Sequence, residues 1–440
     1  MEAAVPSELV ITADWERLDR GSPEERACFA ALGIRYGGTA LTEGYDSYVH
    51  RLRSAPLLSA YHLAEWLAWN WWRLLWEPGS KASDWPFAHH MATIGNGYIW
   101  PNITISSDGE RTALIAKATP ERVATPFRYI SDVPVVVASS HFAGALDEFI
   151  EQVRGQLRAE GLNETNLDRI WEDVREERLQ PEMARRRKLE ALLGCEPDEG
   201  DEPAIERLLG DAAVLGELAI NELAADHSQG GELLTAEALQ EIAGQCGFDA
   251  SPGDGARLTP GNNLPRPDEV PAWRLGMVAA RTLREQEKLG IEPIRNNLLA
   301  KLAGVEIQAL TMRTAGPQIS FYLDPGGTQA RIVLRSRWET GRRFEVARLL
   351  GDRLVSAADR LYPATRSHTY RQKMQRSFAA EFLAPFEAVE DMLAGDYSME
   401  KQQDAANHFR VSELTIRTLL VNHRRLEREE LESEFEAAIV

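Results

Sequence analysis

The stretch from Asp249 to Val270, DASPGDGARLTPGNNLPRPDEV, holds four prolines and three glycines and almost no large apolar side chain. Such a run is a poor source of core-facing helix or strand. Proline removes a backbone donor, and glycine loses the most conformational freedom on ordering. The composition predicts a linker over 249–270 with folded regions on either side. Length agrees, because 440 residues exceed what one ordinary hydrophobic core accommodates. A shorter acidic Pro/Gly run, CEPDEGDEP at 195–203, reads as a second linker.

Ahead of these linkers the pattern predicts an N-terminal mixed α+β domain over 1–160 and a helical region over 161–248. Leu57–Trp76, LLSAYHLAEWLAWNWWRLLW, reads as one helix. Trp66, Trp69, Trp72 and Trp76 recur at spacings of three or four and so share a face, while Trp71 and Leu74 lie off it. A helix apolar nearly all round is expected to be buried. The sharper alternative, an aromatic platform for single-stranded nucleic acid, lacks cations, since Arg73 is the one basic residue in the segment. Tyr98–Ile105, Thr112–Lys117 and Val133–Ala138 read as strands. Ser107-Asp108-Gly109 marks an antiparallel hairpin between the first two. The adjacent His89 and His90 point different ways on either a helix or a strand, which disfavours a shared metal. From Phe142 to Glu160, Leu146, Phe149, Ile150, Val153 and Leu157 line one helical face. The charged stretch from Glu172 to Leu193 contains Arg185-Arg186-Arg187-Lys188 among glutamates and reads as a solvated helix face rather than a nucleic-acid contact. Further helices are expected near Ala204–Ala225 and Thr235–Gln245.

The formal net charge of −19 makes the whole chain a poor non-specific ligand for nucleic acid or an anionic membrane. Its three cysteines, Cys28, Cys195 and Cys246, are far apart, which argues against a disulfide framework or a cysteine zinc site. Met1–Glu16 is acidic and lacks the pattern of a secretory signal. The longest apolar run, Leu63–Trp76, is interrupted by Glu65, Asn70 and Arg73 and is too short to span a bilayer. The expectation is a cytoplasmic protein with no membrane partner.

Beyond the second linker, Trp273–Leu289 is amphipathic and closes at Gly290, and Asn297–Gly304 follows as a helix. Strands are expected at Ile319–Tyr322 and Arg331–Arg335 around the turn Asp324-Pro325-Gly326-Gly327. Helices follow at Gly341–Ala357 and Tyr370–Leu383, the latter stopping at Pro385. Gln403–His408 and Glu413–Val421 form a helix-turn-helix pattern, with Arg410-Val411-Ser412 as the turn and Ser412 as N-cap. The chain ends in an acidic tail over 426–440.

This order, with the Ile332-Val333-Leu334 strand, the Arg343-Phe344…Ala347 helix start, Phe378-Ala379-Ala380-Glu381-Phe382-Leu383-Ala384-Pro385 and Phe409-Arg410-Val411-Ser412, resembles the ImmA/IrrE family of zinc-dependent peptidases over about residues 270–425. The resemblance implies a zincin-like α+β domain over 271–425. In that family a helix carries H-E-x-x-H. Its two histidines grip one zinc, and its glutamate deprotonates the metal-bound water. Here the corresponding positions are Arg348, Leu349 and Asp352, and the position of the third ligand is Met374. Arginine cannot ligate zinc and leucine cannot act as a base. The resemblance therefore implies a degenerate site with no metal and no catalytic residue.

Arg348 and Asp352, four apart on one helix, are expected to pair across the vacated site, with Glu381 a further partner for the arginine. The function that follows is a catalytically degenerate homologue acting as a regulatory or protein-interaction factor in stress, mobile-element or phage responses. Its partner would be another protein. Two alternatives stand beside it. One is an active zinc endopeptidase with ligands from elsewhere. The other is a DNA-binding regulator using Arg410, Arg417, Arg424 and Arg425 near the helix-turn-helix pattern.

Overall fold

A computed structural model describes residues 8–259, 264–324, 326, 329–357 and 359–427. The acidic tail from 428 onward, the start of the N-terminal segment, and Pro325 and Gly327 of the expected turn lie outside the described residues. The chain is mixed α+β, built of helices around small antiparallel sheets. Among the described residues no helix is long and apolar enough to cross a membrane. Two compact units divide between Ile205 and Glu206, beside the 195–203 run.

In the first unit, Leu9–Trp15 pairs antiparallel with Phe29–Tyr36. On its other side, Phe29–Tyr36 meets Thr39–Ala40 and Leu57–Ser59. A second sheet places Arg111–Ala116 between Ile103–Ser107 and Val133–Ala138. The hairpin is where the Ser-Asp-Gly signal puts it. Gly109 takes a φ of +98°, and Asp108 Oδ1 accepts from the Arg111 N–H at 2.9 Å. A third, small sheet joins Gly44–Asp46 to Arg51–Arg53 and Phe127–Tyr129. The Ser139–Ala159 helix buries Leu146, Phe149, Ile150, Val153 and Leu157 as its periodicity demands.

The tryptophan-rich segment is not one helix. Leu57–Ser59 is a strand, Ser59 caps Ala60–Trp69, and a break at Asn70 precedes Trp71–Trp76. The Asn70 side chain donates to Trp66 O at 2.8 Å, a local bond that competes with helix continuation. The break rotates the second half. Trp71 and Trp72 are buried, whereas Trp69 is exposed, so the four tryptophans expected on one face do not share it. Trp71 packs edge-on against Trp171 at 5.2 Å.

The basic run belongs to the Pro181–Leu193 helix, and carboxylates meet it. Arg187 is buried and bonds Glu177, Glu190 and Asp198, while Arg186 reaches Glu190 and Glu202. It is therefore an internal ion-pair network rather than a purely solvated face, and its charge is already satisfied.

In the second unit, Phe248–Ala250, Ala330–Val333, Ser320–Leu323 and Leu361–Ala364 form a four-stranded antiparallel sheet in that order. The 249–270 stretch thus begins inside a sheet. It stays tied to the unit through Ser251 N–H to Gly304 O at 2.8 Å and Ala256 N–H to Leu302 O at 2.7 Å. Among the described residues of this stretch, Pro252, Gly253 and Gly255 mark irregular backbone, and the two units divide at Ile205 and Glu206 rather than here. Three helices build the core: Ala272–Gln286, Glu339–Val355 and Tyr370–Leu383. Their closeness depends on two glycines. A Cβ on Gly276 would lie 2.4 Å from Met374 O, and one on Gly351 would lie 2.4 Å from the Phe378 ring. Met399–Phe409 and Glu413–Asn422 follow as the expected helix pair. Arg410 is left-handed at φ +56° between them, and Ser412 Oγ accepts from the Thr415 N–H at 3.2 Å.

Candidate functional site

The Glu339–Val355 helix turns Arg348 and Asp352 into the second unit, and both are buried. They do not pair. Asp352 is met from the Tyr370–Leu383 helix by Arg371, whose Nε donates to Oδ1 and whose Nη2 donates to Oδ2, both at 2.8 Å. Ser356 Oγ adds a third bond to Oδ1 at 2.6 Å. A guanidinium arriving from a facing helix can address both carboxylate oxygens in parallel, and that fork is stronger than the contact open to a helix neighbour at i−4.

Arg371 also reaches Asp359 at 3.3 Å. Glu222, on the Glu217–His227 helix, accepts from Thr369 Oγ1 at 2.7 Å and from Ser367 Oγ at 3.4 Å. Burial would strip the proton from Arg371. The charges of Asp352, Glu222 and Asp359 and the bonds to Asp352 outweigh it, and the guanidinium is held above its ordinary range. Burial raises the carboxyls of Glu222 and Asp359 against the pull of Arg371.

Arg348 lies 7% exposed and has a different set of partners. Its Nη2 donates to Thr365 O at 2.8 Å and to Gln372 Oε1. Its Nε is buried without a hydrogen-bond partner, and among the described residues no carboxylate comes within ion-pair distance of it. Burial, then the charge of Arg376, push it down to about 9. Glu381, the other expected partner, pairs with Arg281 at 2.7 Å instead and accepts from the Phe386 N–H at 3.3 Å. Burial raises its carboxyl. Leu349 and Met374 sit in the apolar core.

These side chains do not fit a zinc ion. Arg348 offers only donors, Leu349 and Met374 lie among hydrocarbon, and both oxygens of Asp352 are committed to a cation already. Among the described residues no group of three or more His, Cys, Asp and Glu is arranged to hold a metal. What the arrangement does hold is a guanidinium ringed by three carboxylates.

Sequence reasoning missed Arg371 and Glu222. Arg371 is the second residue of a helix capped by Thr369, an unremarkable position for a polar side chain. Glu222 belongs to a stretch read as a separate helical region.

The basic positions near the helix-turn-helix pattern are partly committed. Arg410 pairs with Glu339, and Arg425 pairs with Glu390. Its backbone carbonyl holds Arg410 to the unit as well, accepting from Arg343 Nε at 3.2 Å. Arg424 is exposed and Arg417 half-buried. His423 stacks on Phe386 at 3.6 Å.

The first unit has its own buried cluster. Arg73 Nε donates to Glu77 at 2.6 Å and its other nitrogens reach Glu77 and Glu196. His89 lies between Glu77 Oε2 at 2.9 Å and Ile105 O at 2.8 Å, with Trp85 stacked on its ring. His90 points elsewhere, to Asn102 at 2.6 Å. Comparison with protein-family models, with curated proteins and with solved structures finds no match.

Proposed function

We propose that residues 271–425 form a catalytically degenerate ImmA/IrrE-like metallopeptidase homologue, acting as a regulatory or protein-interaction factor. The observation that carries the reading is the bidentate bond of Arg371 to Asp352. It places a fixed organic cation on the one carboxylate that stands at a ligand position of the resemblance. A guanidinium balances negative charge as a metal ion would, yet it offers no open coordination position and polarises no water. Arg348, at the other histidine position, serves to pin the backbone at Thr365. A fold that keeps its scaffold and loses its reactive groups retains surfaces, and recognition of another protein is what remains to it. The alternative of DNA binding is weaker, because Arg410 and Arg425 are neutralised within the unit and the net charge is −19.

Elemental analysis of the purified protein after incubation with excess zinc and desalting tests this. The expected result is zinc far below one ion per chain in both the wild type and Asp352→Ala. About one zinc per chain, lost in Asp352→Ala, sinks the degenerate reading.

A further inference from the structure

The Leu9–Trp15 strand is the outer strand on its side of the first sheet. In an antiparallel pair only alternate residues bond the neighbour. The Glu16 N–H donates to Phe29 O at 2.8 Å and the Gly37 N–H to Glu8 O at 3.2 Å. That phase assigns the even-numbered residues to the Phe29–Tyr36 strand. The N–H and C=O of Leu9, Ile11 and Ala13 then point away from it, and among the described residues no backbone hydrogen bond reaches them from another segment. Alongside this edge runs a groove of about 310 Å³, lined by residues 9–14 on one wall and by Ala145, Glu148, Phe149 and Gln152 of the Ser139–Ala159 helix on the other. A row of unpaired main-chain groups beside a helix is the geometry in which an extended chain adds a strand.

The charged side chains in the lining are Asp14 and Glu148, both acidic. Their helix neighbours are already taken: Asp147 binds Arg178 at 2.7 Å, and Glu151 binds Arg154 at 2.9 Å. Among the described residues Asp14 and Glu148 have no ion-pair partner. We propose that this edge receives an extended segment of a partner protein that carries lysine or arginine, bound as an added strand through Leu9, Ile11 and Ala13 with its cation toward Glu148. The inference concerns the first unit and does not depend on the reading of residues 271–425.

The test uses the full chain and a fluorescein-labelled, acetylated octapeptide of alternating valine and lysine, followed by anisotropy. Saturable binding that weakens with salt is expected. Ile11→Pro deletes one outward N–H, a position at which an edge strand tolerates proline. It should weaken binding about tenfold, the equivalent of one main-chain hydrogen bond of about 1.4 kcal/mol. The circular dichroism should stay unchanged. Glu148→Lys, on the exposed helix face, should lose the lysine peptide and gain an alternating valine–glutamate peptide. Three results would each overturn the proposal: no saturable binding by the wild type, equal binding by the wild type and both folded variants, or sedimentation showing a wild-type dimer that Ile11→Pro dissociates. The last would assign the edge to a second copy of this chain.

Discussion

Each unit buries an arginine–carboxylate cluster, and the two are built differently. In the first unit Arg73 and Glu77 are four residues apart on adjoining turns, Glu196 closes the second side of the guanidinium, and His89 meets the same Glu77 oxygen, Oε2, that accepts from Arg73 Nε. The cluster is short-range at its centre, and each charged group in it faces an opposite charge or an acceptor. In the second unit Asp352 and Arg371 come from different helices, Glu222 from a third, and Asp359 from the loop before Leu361–Ala364. One cation faces three carboxylates there, while Arg348 is buried nearby with no carboxylate partner. Burial of charge is costly unless it is paired. Burial leaves the carboxyls of Glu222 and Asp359 raised and Arg348 depressed, so charge in this cluster is less fully paired than around Arg73.

The largest effect expected from this contrast comes from removing a central cation. Arg371→Ala leaves Asp352 buried beside Glu222 and Asp359 without a counter-charge, and should destabilise the second unit by about 3–5 kcal/mol. Arg73→Ala should cost the first unit a similar amount, for Glu77. Denaturant unfolding of each variant, followed by the fluorescence of the tryptophan-rich first unit and by circular dichroism, checks both. A loss below about 1 kcal/mol for Arg371→Ala would show that Asp352 is solvated and that the two clusters are not alike in strength.

A smaller effect is expected at Arg348. Its removal leaves Thr365 O and Gln372 Oε1 without that donor but strands no charge, so Arg348→Ala should cost about 1–2 kcal/mol. The sharper measurement is coupling. In double-mutant cycles Asp352 should couple to Arg371 by well over 1 kcal/mol, and to Arg348 by less than about 0.5 kcal/mol. Equal coupling would mean that the two arginines share the carboxylate in solution.

Much of the scaffold was legible, and the reason is locality. The Ser107-Asp108-Gly109 turn, the buried stripe of Ser139–Ala159 and the Ser412 cap each depend on residues within a few positions of one another. The stop of the Tyr370–Leu383 helix before Pro385 was legible for the same cause, whereas the start read at Arg343 was not, since its helix already begins at Glu339. The break at Asn70 was hidden because the apolar period runs through it, and a single side-chain bond to Trp66 O decides against the period. The strand at Phe248–Ala250 was hidden because it borrows its stability from Ala330–Val333, some 80 residues on. The site suffered most. Arg348 and Asp352 were found by position, but the i, i+4 rule that suggested their pairing knows nothing of Arg371 on another helix or of Glu222 on a third.

The smallest effect concerns pH, and it separates the clusters without removing a cation. Burial lifts the folded-state value of Glu222 above its ordinary 4.5. Below about 4.5 both the folded and the unfolded chain hold that proton, and the group takes nothing from stability. As pH rises past 4.5 the unfolded chain releases the proton while the folded chain retains it, so stability is lost until the folded-state value is passed. The loss runs at no more than about 1.4 kcal/mol per pH unit within that window. Asp359 and Glu381 shift in the same direction, so the wild-type slope is a sum. The difference between the wild type and Glu222→Gln isolates one member, since the amide oxygen still accepts from Thr369. Glu222→Gln should be indistinguishable from the wild type at pH 4 and more stable at pH 7, with the gap opening upward from about 4.5. A gap that opens downward would mean that the ionised Glu222 stabilises the fold as a counter-ion to Arg371. The second cluster would then be as fully paired as the first.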